Sequence, residues 1–594
     1  MITVADYVVE FFNKIGSKFV FTVSGGGSIF LCDSLQRSKK IKYISCHHEQ
    51  AVSFAAESYA RQNDDIGVAV VTTGPGGTNT ITGVSSCWID SIPVLFVSGQ
   101  VFLNQTIQKT GLRQLGVQEI DIISLVKPIT KYSIIINEAK DIRYHLEKAH
   151  FLALDKRPGP VWIDIPANIQ SALVDPRKLK PYKAPAKNKA YKNKSRVFEE
   201  KIKFIAEKIL KSNRPLLHLG QGVRISKSID EYKKFINKHK IPFALTWNAT
   251  DIMEYHNPLF AGRPGAFAER GANFIVQNSD LFISIGSRLP FMVTGYNSKD
   301  FARNAYKITV DIDTYEVNKK TLDFDLRLTS DAKIFIEKLN SYLKVKKTNK
   351  NWLNYCNFIR KKYPIVLRQY KKEKKYVNSY VFVDYLSDLL KAHETVVTDM
   401  GLSFVGTHQA FKTKQYQKIF TNSGHAPMGW GLPAAIGAYY NDPKRKTICL
   451  TGEGGFMMNI QELATVMHNK LPIKIFIYNN GGYLTIKQTQ QLGFNSRIMG
   501  SNKKSGLSFP SYKDIAKSHK IKYFKISNNQ NINLKIKNVL SENKPAICEL
   551  MMDHNQEQMP KAINKRLSNG KSIPTKFEDM YPFLSHEEIQ KNML

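Results

Sequence analysis

The stretch TICLTGEGGFMMNIQELATVMHNKLPIKIFIYNNGG, from Thr447 to Gly482, decides the reading of the fold. A short run of β-branched and apolar residues, Thr447–Leu450, stops at glycines, and a helix-length segment separates it from a second such run, Ile473–Tyr478. That alternation is the mark of a parallel sheet with helical crossovers. Gly452, Gly454 and Gly455 let backbone N–H groups approach an anion closely, and the helix they open adds its positive end, so the turn predicts a cradle for a diphosphate. The second run ends at Asn480, 27 residues after Glu453. The Glu453 carboxylate, the Asn480 side-chain oxygen and a backbone carbonyl at Gly482 offer three hard oxygen ligands, a set suited to Mg²⁺ completed by diphosphate oxygens and water.

Outward from this stretch, four more glycine-bearing or helix-opening segments follow strand-like runs. They are VSGGGSIF (Val23–Phe30), ISCHHEQAVSFAAESYAR (Ile44–Arg61), TTGPGGTNT (Thr72–Thr80) and TDMGLSFVGTH (Thr398–His408), with TNSGHAPMGWGLPAAIGA (Thr421–Ala438) after the last. Strand-like runs recur at Val68–Val71 and Val94–Val97, and in the middle of the chain at Leu216–Leu219, Leu281–Ile285 and Tyr306–Val310. Two lysine-rich stretches, Lys178–Lys203 and Lys344–Lys375, read as linkers or solvated helix faces and mark boundaries. The expected architecture is α/β: three consecutive doubly wound parallel-sheet domains at 1–185, 190–345 and 350–560, then a C-terminal tail at 561–594. The N-terminal MITVADYVVEFFNKIG reads as an amphipathic helix and lacks the features of a signal peptide.

These motifs, in this order and over about residues 1–560, resemble those of thiamine-diphosphate-dependent enzymes of the acetolactate-synthase-like family. The family's metal motif opens with Gly-Asp-Gly and closes with Asn-Asn. Here Glu453 takes the place of the aspartate, one C–C bond of about 1.5 Å longer, in a coordination shell where Mg²⁺ accepts little distortion. The resemblance implies a pyrimidine-binding, a middle and a diphosphate-binding domain. It makes Glu49 the glutamate that hydrogen-bonds the cofactor's aminopyrimidine ring, and Gln118 a neighbour of the reacting carbon. Gly25, Gly26, Thr73 and Asn79 would line the pyrimidine half. Gly401, Leu402, Ser403, Gly452, Gly454, Gly455, Gly482, Tyr483 and Leu484 would line the diphosphate half, and Met428 would wedge between the two thiamine rings. Glu453, Asn480 and Gly482 would hold the metal. In such enzymes the cofactor lies between subunits, which implies a homodimer or homotetramer.

Stretches of the middle segment, HLGQGVR, GRPGAFAERGAN, GSRLPFMVTG and VDID, resemble the branch's FAD-binding segments. They nominate Gly220, Gly222, Gly262, Gly265, Arg288 and Asp311, with Arg157 from RPGPV, as flavin contacts. Arg157 and Arg288 are suited to phosphates by their bidentate geometry. Relatives that keep this domain without the flavin leave FAD open. The implied activity is decarboxylation of a 2-oxo acid such as pyruvate, with transfer of its two-carbon unit to a carbonyl acceptor. Three acceptor-side landmarks of acetolactate synthases are replaced: an arginine by Met292, a tryptophan by Thr489 and a lysine by Ala167. Loss of a cation facing a carboxylate removes a hydrogen bond worth roughly 1.5–3 kcal/mol. Together with IYNNGGYLTIKQTQ and RLSNGKSIPTKFEDMYPFLS, this points towards relatives that transfer an acetyl unit to a nucleotide-linked ketosugar in surface-polysaccharide synthesis. Acetolactate synthesis proper, simple decarboxylation or lyase chemistry, and a cofactor-dead regulatory relative are the alternatives.

Composition excludes other classes. The net charge of +36 invites a nucleic-acid partner, but the lysines concentrate in the two boundary stretches, so no nucleic-acid partner is expected. No apolar run approaches the roughly 20 residues that span a bilayer. Six scattered cysteines without CxxC pairs fit neither a zinc site nor a disulfide framework, and so fit the cytoplasm.

Overall fold

The protein is described here by a computed structural model covering residues 1–108, 110–185, 195–346, 349–566 and 571–594. Parts of both lysine-rich stretches (186–194 and 347–348), the boundary between the first two expected domains, and 567–570 of the tail lie outside the described residues.

Three parallel sheets follow one another along the chain. The N-terminal sheet runs, in spatial order, Lys42–Ser45, Phe19–Thr22, Gly67–Val71, Val94–Gln100, Val161–Pro166 and Tyr132–Ile135. The C-terminal sheet runs Lys418–Phe420, Thr395–Thr398, Thr447–Gly452, Lys474–Asn479, Ala546–Met551 and Lys522–Ile526. Numbered by chain order within each sheet, both read 2-1-3-4-6-5. The middle sheet has five strands, Phe243–Leu245, Pro215–Leu219, Leu281–Ile285, Tyr306–Asp311 and Leu326–Thr329. The inner strands are buried along nearly their whole length, the pattern of parallel sheets covered by helices on both faces.

The N-terminal helix forms over Val4–Lys14, capped by a reciprocal pair between Thr3 and Asp6. The helix Glu49–Asn63 is buried over almost its full length because the C-terminal unit covers it. It packs against the helix Gly431–Asn441 so closely that a Cβ on Gly437 would sit 2.0 Å from the Ala55 carbonyl oxygen. One apolar cluster therefore joins the N- and C-terminal units, with Phe54, Ala55 and Trp162 on one side and Trp430, Ala435 and Phe456 on the other.

The second lysine-rich stretch contains the helix Lys350–Lys362. Its spacing of Trp352, Cys356 and Ile359 lays an apolar stripe on the helix Arg270–Asn278 of the middle unit and leaves the lysines in solvent. The tail also returns to the middle unit. Arg270 donates to the Met580 and Pro582 carbonyls, Asn273 to the Phe577 carbonyl, and Glu578 is fully buried against Arg303 at 2.8 Å. No helix among the described residues is long and apolar enough to cross a membrane.

Candidate active site

Each outer sheet presents its glycine turns where the strand order reverses, between its first and third strands. Ligand crevices form there because the adjacent crossovers leave in opposite directions. In the C-terminal unit this brings Thr398–Gly401 beside Thr451–Gly455. A Cβ on Gly454 would lie 2.1 Å from Tyr483 Cε1 and 2.5 Å from Met428 Cε, so only glycine permits this approach. Met428, Gly454 and Tyr483 thus meet in one place. Gly401 opens the helix Leu402–Ala410 with a positive φ of 76°, and Ser403 donates to the Met400 carbonyl within that turn. Tyr483 precedes the helix that begins at Leu484 and donates its N–H to the Ser501 carbonyl.

Glu453 is 3% exposed, and its Oε2 accepts the backbone N–H groups of Asn480 (2.9 Å) and Gly482 (3.1 Å). Burial lifts its pKa to about 7 against the pull of those donors. The Asn480 side-chain oxygen is buried and has no hydrogen-bond partner among the described residues. An orphaned buried acceptor costs roughly 1–3 kcal/mol, and a cation held between it and Glu453 would satisfy it. No group of three His, Cys, Asp or Glu residues among the described residues could hold a metal ion, so the available set is one carboxylate with amide and carbonyl oxygens. That is the donor chemistry of Mg²⁺.

Asp399 was not singled out from the sequence, yet it organises this half. Its buried carboxylate accepts from the N–H groups of Met400 (2.7 Å), Gly429 (3.2 Å) and Gly431 (2.9 Å), bracketing Met428. Burial pushes its pKa up to about 6. Asn459 holds the same loop from the other side by donating to the Gly429 carbonyl (2.8 Å), and it also donates to Gln50 Oε1 (3.0 Å). The signal for Asp399 was present in the sequence: a carboxylate at the end of a strand, two residues before the glycine that opens a helix.

In the N-terminal unit Glu49 is half-buried at the first turn of its helix, and Asn79 Nδ2 donates to Glu49 Oε2 at 2.9 Å. Gly25 packs against Thr72, while Gly26 faces open space. Thr73 Oγ1 donates to Gln100 Oε1 at 2.5 Å, and Gln100 in turn donates to Asp164, which also accepts from Ser98. Gln118 is exposed, holds a positive φ of 62°, and touches Thr73 only through its carbonyl. The two halves are joined within one chain next to Glu49, through Gln50 to Asn459 and through the His47 and His48 N–H groups to Glu462. Glu49 itself makes its hydrogen bond to Asn79.

A cavity of about 1010 Å³ lies between all three units. Arg157, Gly222, Arg288 and Asp311 line it; Gly220, Gly262 and Gly265 do not. Gly220 packs on Ser287 and Gly286, Gly262 on Ala272 and Glu269, and Gly265 on the Met292 backbone. Arg157 Nη1 pairs with Asp313 (2.8 Å) and Glu316 (3.2 Å), and Arg288 reaches Glu316 and the Ile89 carbonyl. Burial raises Asp311 to about 6.

Comparison with known proteins agrees with this layout. Residues 2–125, 202–339 and 399–550 match the N-terminal TPP binding, central and C-terminal TPP binding domains of thiamine pyrophosphate enzymes. The chain is 30% identical over 570 residues to the acetolactate synthase large subunit of Cyanidium caldarium, covering 94% of each. It is 28% identical to that of Lactococcus lactis, covering 97% of this chain and 96% of the relative. It is 31% identical to the isozyme 2 large subunit of Escherichia coli over 83% of this chain and 86% of the relative. With the three domains in order, and both glycine-lined crevices built where the strand order reverses, the chain belongs to the thiamine pyrophosphate enzyme family, among its acetolactate-synthase-like members.

Proposed function

We propose that this chain is a carboligase that decarboxylates a 2-oxo acid such as pyruvate and joins the two-carbon remainder to a carbonyl acceptor. A second 2-oxo acid, giving acetolactate, is the acceptor that the named relatives support. The observation that carries the reading is the convergence of Met428, Gly454 and Tyr483 beside Glu453 and Asn480, in a chain that also sets Glu49 against Asn79. Bound thiamine diphosphate supplies the nucleophilic carbon and the electron sink. Glu49, held at Oε2 by Asn79, keeps its other oxygen free to exchange a proton with an aminopyrimidine ring. Met428, fixed between Asp399 and Asn459, orients the ring system. Glu453 and Asn480 would hold Mg²⁺ against the diphosphate, and the buried turn excludes water from it.

Two such sites need two chains in this reading. Ile29, Leu112, Leu115 and Val117 are exposed near the N-terminal crevice, and Ile486, Leu492, Phe494 and Met499 are exposed in the C-terminal unit. Apolar residues exposed in such numbers support contact with a second copy. The cavity at Arg157 and Arg288 is of the size that encloses a large cofactor, which supports FAD as a second resident group; flavin released on denaturation would test it. All six cysteines are free, in keeping with a reducing compartment.

A second reading has its own observation. Met292 packs with Phe267 and Met400 against Trp247, Phe404 and Val405, an apolar wall where acetolactate synthases carry an arginine. That wall favours an acceptor such as a nucleotide-linked ketosugar. The test is pyruvate consumption with thiamine diphosphate and Mg²⁺, each omitted in turn, and mass analysis of products with 2-oxobutyrate or with CDP- and UDP-ketosugars. Cofactor-independent consumption, or none with any acceptor, would overturn the carboligase reading.

A further inference from the structure

Past Asp553 the chain leaves the C-terminal sheet and crosses towards the middle unit as a strap. Gln558, 1% exposed, donates to Thr485 Oγ1 at 3.0 Å, one residue beyond Leu484 of the diphosphate turn. The Pro560 carbonyl accepts from Gln409 at 2.9 Å. Lys561 pairs with Phe267 in an antiparallel bridge, and the Ala562 N–H donates to the Ala266 carbonyl at 2.6 Å. The Ala266 N–H donates in turn to the Met292 carbonyl at 2.8 Å. Lys561 is therefore laid beside the segment that carries Phe267, two backbone rungs from Met292 and three residues from the contact with Thr485.

Lys561 is 5% exposed, yet its Nζ makes no hydrogen bond and no ion pair among the described residues. The Tyr581 ring, 5.7 Å away, offers a π face but no acceptor for the three N–H groups. Glu557, the nearest acid, accepts the Tyr581 hydroxyl at 3.2 Å instead. Burial draws the ammonium pKa down, as it must for a charge without a partner. An ammonium whose stem is largely buried and which has no acid to pair with is open to an anionic ligand. The apolar wall of Phe267, Met292 and Met400 supplies no cation of its own.

We propose that Lys561 binds the anionic group of the acceptor, a carboxylate or a nucleotide diphosphate, and so stands in for the cation missing at Met292. This rests on the carboligase reading for the word acceptor, but the anion site can be tested without turnover. Calorimetry on the thiamine-diphosphate-loaded protein would use two probes that lack a reactive carbonyl, 2-hydroxyisobutyrate and UDP. The expected result is that K561M weakens one probe about ten- to a hundredfold, the span of one charge-assisted hydrogen bond, while K561R stays within about threefold. A loss confined to 2-hydroxyisobutyrate assigns the carboxylate, and one confined to UDP assigns the nucleotide. Unchanged affinity for both probes in K561M overturns the proposal. So does an equal loss in K561R and K561M when both melt at the wild-type temperature. A wild-type protein that binds a probe through Lys561 but releases no CO₂ from pyruvate would keep the anion site and sink the carboligase reading.

Discussion

Asn79 Nδ2 donates to Glu49 Oε2 at 2.9 Å, fixing the one carboxylate in the first turn of the helix Glu49–Asn63. If Glu49 exchanges a proton with the cofactor, Glu49→Gln lowers carboligation by about 10²–10⁴-fold. Asn79→Ala, which frees the carboxylate without removing it, lowers it less. Turnover measured beside calorimetric thiamine diphosphate binding checks this. Glu49→Gln turnover within tenfold of wild type would reject the assignment.

Because Glu49 and Asn480 belong to different halves of the site, pairs of inactive chains report whether the halves come from different subunits. Glu49→Gln mixed with Asn480→Ala should recover about a quarter of wild-type activity, since half of randomly formed dimers carry one intact site out of two. No recovery, with mixed dimers verified by mass, means that both halves come from one chain.

Arg61 is buried between Glu57 (2.6 Å) and Asp90 (2.8 Å), and Glu57 also accepts from Asn422 and from the Trp430 indole. Arg61→Met leaves two carboxylates in the core without their cation. Such a break costs about 3–5 kcal/mol, read as a lower denaturant midpoint. A midpoint unchanged from wild type would show that the acids are protonated or hydrated in the folded state.

Asp399→Asn turns one acceptor oxygen into a donor facing either the Met400 and Gly429 N–H groups, which share Oδ1, or the Gly431 N–H, which uses Oδ2. A loss of about 1–3 kcal/mol in stability follows from the unpaired donors. Since those groups bracket Met428, thiamine diphosphate affinity should fall as well, a second readout that a purely structural role would leave in place.

Burial raises the Asp164 pKa to about 7 in spite of hydrogen bonds from Ser98 and Gln100. The folded chain thus binds a proton that the unfolded chain has already lost above about pH 4. This contribution to stability is fully present below the unfolded pKa and disappears as pH rises through about 7. Asp164→Asn cannot titrate, so its stability should fall less steeply over that interval. Parallel curves for the two proteins would place the ionised form of Asp164 in the folded state.

The alternation of strands with helix-length segments made all three sheets legible, because runs such as Ile473–Tyr478 are mostly apolar and β-branched and glycines follow where they stop. The glycine turn that carries Glu453 was legible for the same local reason. Asp399, Asn459 and the Glu57–Arg61–Asp90 group were not, since their roles depend on partners far away in sequence: Asn459 acts through Gln50 and Gly429, and Glu57 through Asn422. The strap was missed too. A polar tail carries no periodicity, and only the fold shows that Lys561 is largely buried and forms no ion pair among the described residues.

The close fit of Ala55 against Gly437 also matters before the protein exists as a whole. Glu57 meets Asn422, its partner 365 positions later, only after roughly 20–70 s of synthesis at about 5–20 residues per second. During that interval the small-residue face of the helix Glu49–Asn63 emerges from the ribosome with its covering helix still unmade. The nascent N-terminal unit must therefore be sheltered, by a chaperone or by its own transient packing, until the last third of the chain arrives.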